Sequence, residues 1–170
     1  MDTVPGRTDA VRYSCDVVVV DDYQALTELI VESLRRSGIV VEGVLDGRGA
    51  LAIADQCETR VALVDCVLPD IDGITLIPQL KAKWPGAIFV VMSGQVGGLS
   101  EAMARQLGIH AFINKPLSMK ALCQALERLV RAHTSGQAIR GSATDWLSLG
   151  LGSPRDDAAV IRLLTPVQES

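Results

Sequence analysis

The sequence predicts an α/β domain, a doubly wound five-stranded parallel sheet built from five strand–helix pairs, followed by a mostly irregular C-terminal tail. Three observations carry this. Short apolar runs alternate with segments of helical periodicity five times between residues 16 and 131. The runs are rich in β-branched residues and lack polar alternation, the pattern of strands covered on both faces. Four of them stop at reactive polar residues: Asp21-Asp22, Asp65, Ser93 and Lys115.

The elements follow in order. Residues 1–15 are polar, contain Pro5-Gly6 and read as a flexible leader. Asp16–Val20, a pure valine run after the acid, is the first strand. Leu26, Leu29, Ile30 and Leu34 recur at helical spacing between Tyr23 and Ser37, and Gly38 closes that helix. Ile39–Val44 is the second strand, and Glu42 places it at or near an edge. Asp46-Gly47 turns the chain into a short helix marked by Ala50, Leu51 and Ala54. Val61–Val64 is the third strand, running into Asp65. Asp72 caps a helix through Lys83, in which Pro78 removes a backbone donor and bends or delays the first turns. Trp84-Pro85-Gly86 ends it. Ala87–Met92 is the fourth strand, followed by Ser93 and a loop holding Gly94, Gly97 and Gly98. Ser100 caps a fourth helix with Ala102, Met103 and Leu107 facing inward, closed by Gly108. Ala111–Ile113 is the fifth strand, ending at Asn114-Lys115-Pro116. Ser118 caps a fifth helix to about Arg131 that buries Leu122, Ala125, Leu126, Leu129 and Val130. The folded domain then spans residues 16–132.

In an open parallel sheet the ligand site lies at the carboxyl ends of the strands, where the winding reverses. Asp21, Asp22, Asp65, Ser93 and Lys115 all fall there. Three carboxylates repel one another unless a cation intervenes, and hard oxygen donors suit Mg²⁺. Asp65 is then a carboxylate nucleophile for phosphorus, Lys115 a charge for a phosphoryl oxygen, and Ser93 a hydroxyl donor to another. Taken singly, an Asp pair is a turn or cap, a serine a loop residue and a lysine a solvated surface group. Their joint placement points to phosphoryl chemistry.

At these residues the chain resembles a response-regulator receiver domain of two-component signalling, the CheY-like family. The stretches VVVVDDYQALTELI, VALVDCVLPDIDG, FVVMSGQ and AFINKPLS carry the resemblance, over roughly residues 16–131. It implies a flavodoxin-like strand order 2-1-3-4-5, with Asp65 as phosphorylation site. Asp22, Asp65 and the Val67 backbone carbonyl would ligate Mg²⁺, with Asp21 acting indirectly. Ser93 and Lys115 match the family's switch hydroxyl and lysine, and Phe112 its switch aromatic. The Lys115-Pro116 bond is often cis in the family. The resemblance implies a histidine kinase or histidine phosphotransfer protein as phosphoryl donor. It also implies a signalling switch that catalyses its own phosphorylation and dephosphorylation rather than a conventional enzyme. The face of the fourth helix, fifth strand and fifth helix would meet a downstream protein or a second copy; Arg105, Gln106, Lys120, Gln124, Glu127 and Arg128 are its candidate residues. Val67 is apolar where many relatives are polar, and Phe112 lacks a tyrosine hydroxyl, so any switch works by packing alone.

Composition sets bounds on this reading. A net charge of −4 argues against broad nucleic-acid binding, and no run of about 18 apolar residues is present to span a membrane. The N-terminus lacks the pattern of a signal peptide, so the expected location is cytoplasmic, with Cys15, Cys57, Cys66 and Cys123 reduced. His110 and His133 lack metal-ligand spacing and read as structural or surface residues. Met92 and Met103 read as core. Asp70-Ile71-Asp72-Gly73 resembles the nucleophile loop of haloacid-dehalogenase-type phosphatases, but the apolar strand leads into Asp65 and Pro69 precedes Asp70; Asp70 and Asp72 are better read as turn and cap residues. Residues 133–170 read as linker and tail, with Trp146, Leu147, Leu149 and Leu151 as docking candidates and one short helix over 157–164. Leu164-Thr165-Pro166 weakly resembles the opening of LuxR-type output domains, which suggests the receiver part of a truncated transcription regulator as a second reading. No recognition helix is present, so specific DNA binding by this chain is not expected.

Overall fold

The structure, a computed structural model, describes residues 12–94, 101–115, 118–136 and 161–163. The chain runs β1 (Tyr13–Val20), α1 (Gln24–Arg36), β2 (Val41–Val44), α2 (Gly47–Gln56), β3 (Cys57–Asp65), α3 (Gly73–Lys83), β4 (Ile88–Ser93), α4 (Glu101–Gln106), β5 (Ile109–Asn114), α5 (Met119–Thr134) and β6 (Ile161–Leu163). The sheet order is β2-β1-β3-β4-β5-β6. Its first five strands are parallel and in the expected order 2-1-3-4-5. β6 adds an antiparallel edge beside β5.

The valine runs are apolar on both sides because the sheet is covered on both faces. Val18, Val20, Ala62, Val64, Phe89 and Val91 pack toward Ala50, Ala54, Leu76, Ile77, Leu80 and Ala104 of α2, α3 and α4. Val17, Val19, Val61, Leu63, Val90 and Met92 pack toward Ile30, Leu34, Leu122, Ala125, Leu126 and Leu129 of α1 and α5. Glu42 lies in β2, an edge strand, as its charge required. Asp46, Asp72 and Ser118 each accept a hydrogen bond from a first-turn amide of α2, α3 and α5. Gly38 and Gly108 take positive φ at the ends of α1 and α4.

Several expectations need correction. Leu29 is 47% exposed, and Thr27 takes the inward position, donating its hydroxyl to the Asp21 carbonyl at 2.9 Å. Met103 is half exposed rather than core; α4 is short and turns Ala104 inward instead. β1 starts at Tyr13, so the leader's last residues are strand. Arg12 before it donates to the carbonyls of Ala54 (2.5 Å) and Cys57 (2.6 Å), which ties the end of α2 to the sheet. β3 starts at Cys57, four residues before the apolar run, because Cys57–Thr59 pair with Tyr13–Cys15. Pro78 does not delay α3, which begins at Gly73 immediately after its cap. The helix expected over 157–164 is contradicted at Ile161–Leu163, which are strand; pairing with β5 outweighs the local helical spacing there. Ser100, the 95–99 loop, the Lys115-Pro116 bond and the apolar cluster at 146–151 lie outside the described residues.

Candidate functional site

The parallel sheet brings four strand ends to one edge. β1 delivers Asp21 and Asp22, β3 ends on Asp65, β4 ends on Ser93, and β5 leads into Lys115. The register is held up to the site itself: the Cys66 amide donates to Met92 O at 3.0 Å and the Lys115 amide to Ser93 O at 2.9 Å. Asp21, Asp65 and Ser93 are buried, while Asp22 is exposed at the rim.

Carboxylate oxygens of Asp21, Asp22 and Asp65 lie within 4.8 Å of one another. Such a cluster is repulsive unless charge is neutralised. Lys115 meets that need in part: its Nζ donates to Asp21 Oδ2 at 2.8 Å and to Asp65 Oδ2. The remaining Asp65 oxygen, Oδ1, accepts the Val67 amide at 3.0 Å, and Asp21 Oδ1 accepts the Tyr23 amide at 2.8 Å. Burial pushes the Asp21 carboxyl above its ordinary value, and the Lys115 hydrogen bond opposes it. Burial also works against the Lys115 ammonium, but its hydrogen bonds to Asp21 and Asp65 outweigh that and raise its pKa.

The donor set is all carboxylate oxygen and faces one exposed rim at Asp22. Such a set fits a small hard divalent cation. The loop that follows Asp65 is closed tightly. The Gly73 amide donates to Cys66 O at 3.0 Å, and a Cβ at Gly73 would sit 2.1 Å from the Asp65 carbonyl oxygen. Asp70 ties the same loop to α2 by accepting the Gly47 and Arg48 amides, both at 2.8 Å, and these bonds lower its pKa. Asp70 and Asp72 thus cap helices, and both oxygens of Asp70 are engaged in doing so.

The pattern of this chain matches the family model "Response regulator receiver domain" over residues 17–127. The chain belongs to the response regulator receiver domain family. Residues of this receiver are 28% identical to the DNA-binding transcriptional regulator NtrC of Azospirillum brasilense, over 75% of this chain. The chain spans only 26% of that relative's length. Among solved structures, a CheY-like receiver domain protein from Methanospirillum hungatei superposes with a TM-score of 0.66 at 22% identity, covering 74% of this chain and 98% of that one. A response regulator protein from Burkholderia pseudomallei, solved with a phosphorylated aspartic acid, calcium ion and citrate, superposes with a TM-score of 0.61 at 21% identity, covering 79% and 81%. At these identities the solved structures establish the shared fold.

The receiver therefore gathers every residue that the sequence singled out at the strand ends. Phe112 lies three residues before Lys115 on β5, is 7% exposed and packs with the α2–α4 side. Val67 stands 75% exposed beside Asp65. On the proposed output face Gln106, Lys120, Gln124 and Arg128 are exposed. Two contacts near the site were not foreseen from the sequence, which reads Cys66 as a reduced structural thiol and Asp70 as a turn or cap residue. Cys66 hydrogen-bonds with Ser93, while burial raises its thiol pKa. Asp70 reaches across to α2, a contact twenty-odd residues distant that only the fold creates. Among the described residues no helix is long and apolar enough to cross a membrane.

Proposed function

We propose that this receiver is a phosphorylation-dependent switch in which Asp65 is the phosphoryl acceptor. The observation that carries the reading is the Lys115 ammonium bridging Asp21 and Asp65 inside a three-carboxylate cluster at the strand ends. The aspartyl phosphate of the Burkholderia relative supports it by analogy. One Asp65 oxygen forms a bond to phosphorus while the donor's bond to that phosphorus breaks, and the donor's leaving group departs. Lys115 then meets a phosphoryl oxygen, and the Ser93 hydroxyl donates to another. The Val67 amide, already bonded to Asp65, holds the carboxylate in place for this. Asp22, Asp65 and the Val67 carbonyl would hold Mg²⁺, with Asp21 supporting them. Bound there, Mg²⁺ would neutralise the carboxylates and orient the phosphoryl group.

The donor in this reading is a histidine kinase or histidine phosphotransfer protein, and the protein works in the cytoplasm, where such donors act. Recruitment of Ser93 and Lys115, with repacking at Phe112, changes the face of α4, β5 and α5 toward a downstream protein or a second copy. Phosphorylation and its loss are self-catalysed. Acetyl phosphate with Mg²⁺ tests the reading by intact mass: one phosphoryl group should be gained by the wild type and none by Asp65→Asn. Undiminished labelling of Asp65→Asn would remove Asp65 from the role.

A further inference from the structure

The outer edge of β5 would be the open edge of the parallel sheet, a row of backbone groups ready to pair with an extended segment. In this structure the segment Ile161–Leu163 of the same chain occupies it. The pairing is antiparallel, with Ala111 opposite Leu163, Phe112 opposite Arg162 and Ile113 opposite Ile161. The direction of the backbone groups identifies the bonded pair. Lys115 donates its amide to Ser93 O, toward β4. Along a strand successive residues present their backbone groups to opposite sides, so Ile113 also faces β4 and Phe112 faces β6. Phe112 and Arg162 therefore form the hydrogen-bonded pair of this short ladder.

We propose that the outer edge of β5 is a strand-binding site whose resident occupant is residues 161–163, a releasable strap whose pairing depends on the state of the acidic site. This rests on the reading of Asp65 as phosphoryl acceptor. Two features make the strap releasable. Its described pairing is three residues long and centred on one bonded pair, and a ladder of that size leaves paired and unpaired states close in free energy, so that a small bias shifts the balance. It also pairs with the strand that carries Phe112 and, two residues beyond Ile113, Lys115. Lys115 now spans Asp21 and Asp65; a phosphoryl group on Asp65 gives its ammonium a new partner further out. That pulls on the end of β5, to which β4 is bonded through Ser93 O. By linkage, releasing the strap changes the acidic site by the same factor that occupying the site changes the strap.

The experiment is amide hydrogen exchange at Phe112 in the full chain. Arg162→Pro removes the amide opposite Phe112 without touching the acidic site. Without any phosphoryl donor, Phe112 should exchange about tenfold faster in Arg162→Pro than in the wild type, while Val19 and Leu63 of the central strands stay unchanged. Equal exchange in the two proteins would overturn the strap. Beryllofluoride with Mg²⁺ is the second arm. It should speed Phe112 exchange in the wild type toward the Arg162→Pro rate and have no effect in Asp65→Asn. If fluorine NMR shows beryllofluoride bound and Phe112 protection is unchanged, the coupling is overturned. If beryllofluoride does not bind the wild type at all, the reading of Asp65 falls and the coupling with it, whereas the first arm still decides the strap.

Discussion

His110 offers a stability test that does not involve the acidic site. It sits at a break in the β4–β5 register: Phe89 pairs with Ile109 and Val90 with Ala111, so His110 is the extra residue of β5. The Phe89 amide, which the irregular ladder would leave without a strand partner, donates to His110 Nδ1 at 3.0 Å. Burial, then the charge of Lys81 on α3, depress the imidazole pKa from an ordinary 6.5 to about 4. The perturbation is a shift of pH from 7 to 4. In the fold His110 stays neutral down to about 4, whereas in the unfolded chain it takes a proton near 6.5. The unfolded state thus binds more protons in this window, and stability falls as pH falls through it. At about 1.4 kcal/mol for each pH unit of separation the ceiling is about 3 kcal/mol; the ring's partial exposure brings the expected loss to about 2 kcal/mol. The assay is urea unfolding of the wild type and His110→Gln at a series of pH values. Carboxylates shared by both proteins cancel in the difference, so the wild type should lose about 2 kcal/mol more between pH 7 and 4 than the variant. Parallel curves over that window would refute the reasoning.

Four further outcomes are expected. Gly73→Ala should lower the urea-unfolding free energy by more than about 2 kcal/mol, because its Cβ would meet the Asp65 carbonyl oxygen at 2.1 Å; an unchanged midpoint would show that the loop yields. Arg12→Ala should destabilise by about 1–3 kcal/mol in the same assay, since the carbonyls of Ala54 and Cys57 lose a charged donor. Mg²⁺ at a hundredfold its dissociation constant should raise wild-type stability by about 2.7 kcal/mol and raise Asp22→Ala far less, read as the melting temperature with and without the ion. Lys115→Ala should still accept a phosphoryl group from acetyl phosphate but lose the accompanying change in amide chemical shifts on α4, β5 and α5; a wild-type pattern of shifts would take Lys115 out of the switch.

The resemblance to a receiver was legible because its chemistry is local in sequence. Each site residue stands just after an apolar run, so Asp21-Asp22, Asp65, Ser93 and Lys115 could be placed at strand ends before any contact was known. Caps were legible for the same reason: Asp72, Ser118 and Gly38 act within a few residues of themselves, whereas Asp46, read as a turn residue, proved to cap α2. Burial phase was less so. Leu29 and Met103 fit an apolar period, yet the buried place went to Thr27, whose hydroxyl has a carbonyl to bond, and to Ala104, which is small enough for the space beside the sheet.

What the sequence determined by itself is the alternation of strand and helix, the double-faced sheet that follows from it, and the reactive residue at each strand end. These depend on period, branching and capping, which act over a few neighbouring residues. Only the tertiary structure decided that Lys115 bridges two of the three acids, that Asp70 caps a helix from another part of the chain, that Arg12 and Tyr13 belong to the fold, and that Ile161–Leu163 is a strand on the β5 edge. Each of these joins residues remote in sequence, and the free energy that selects it resides in a partner that no local pattern names.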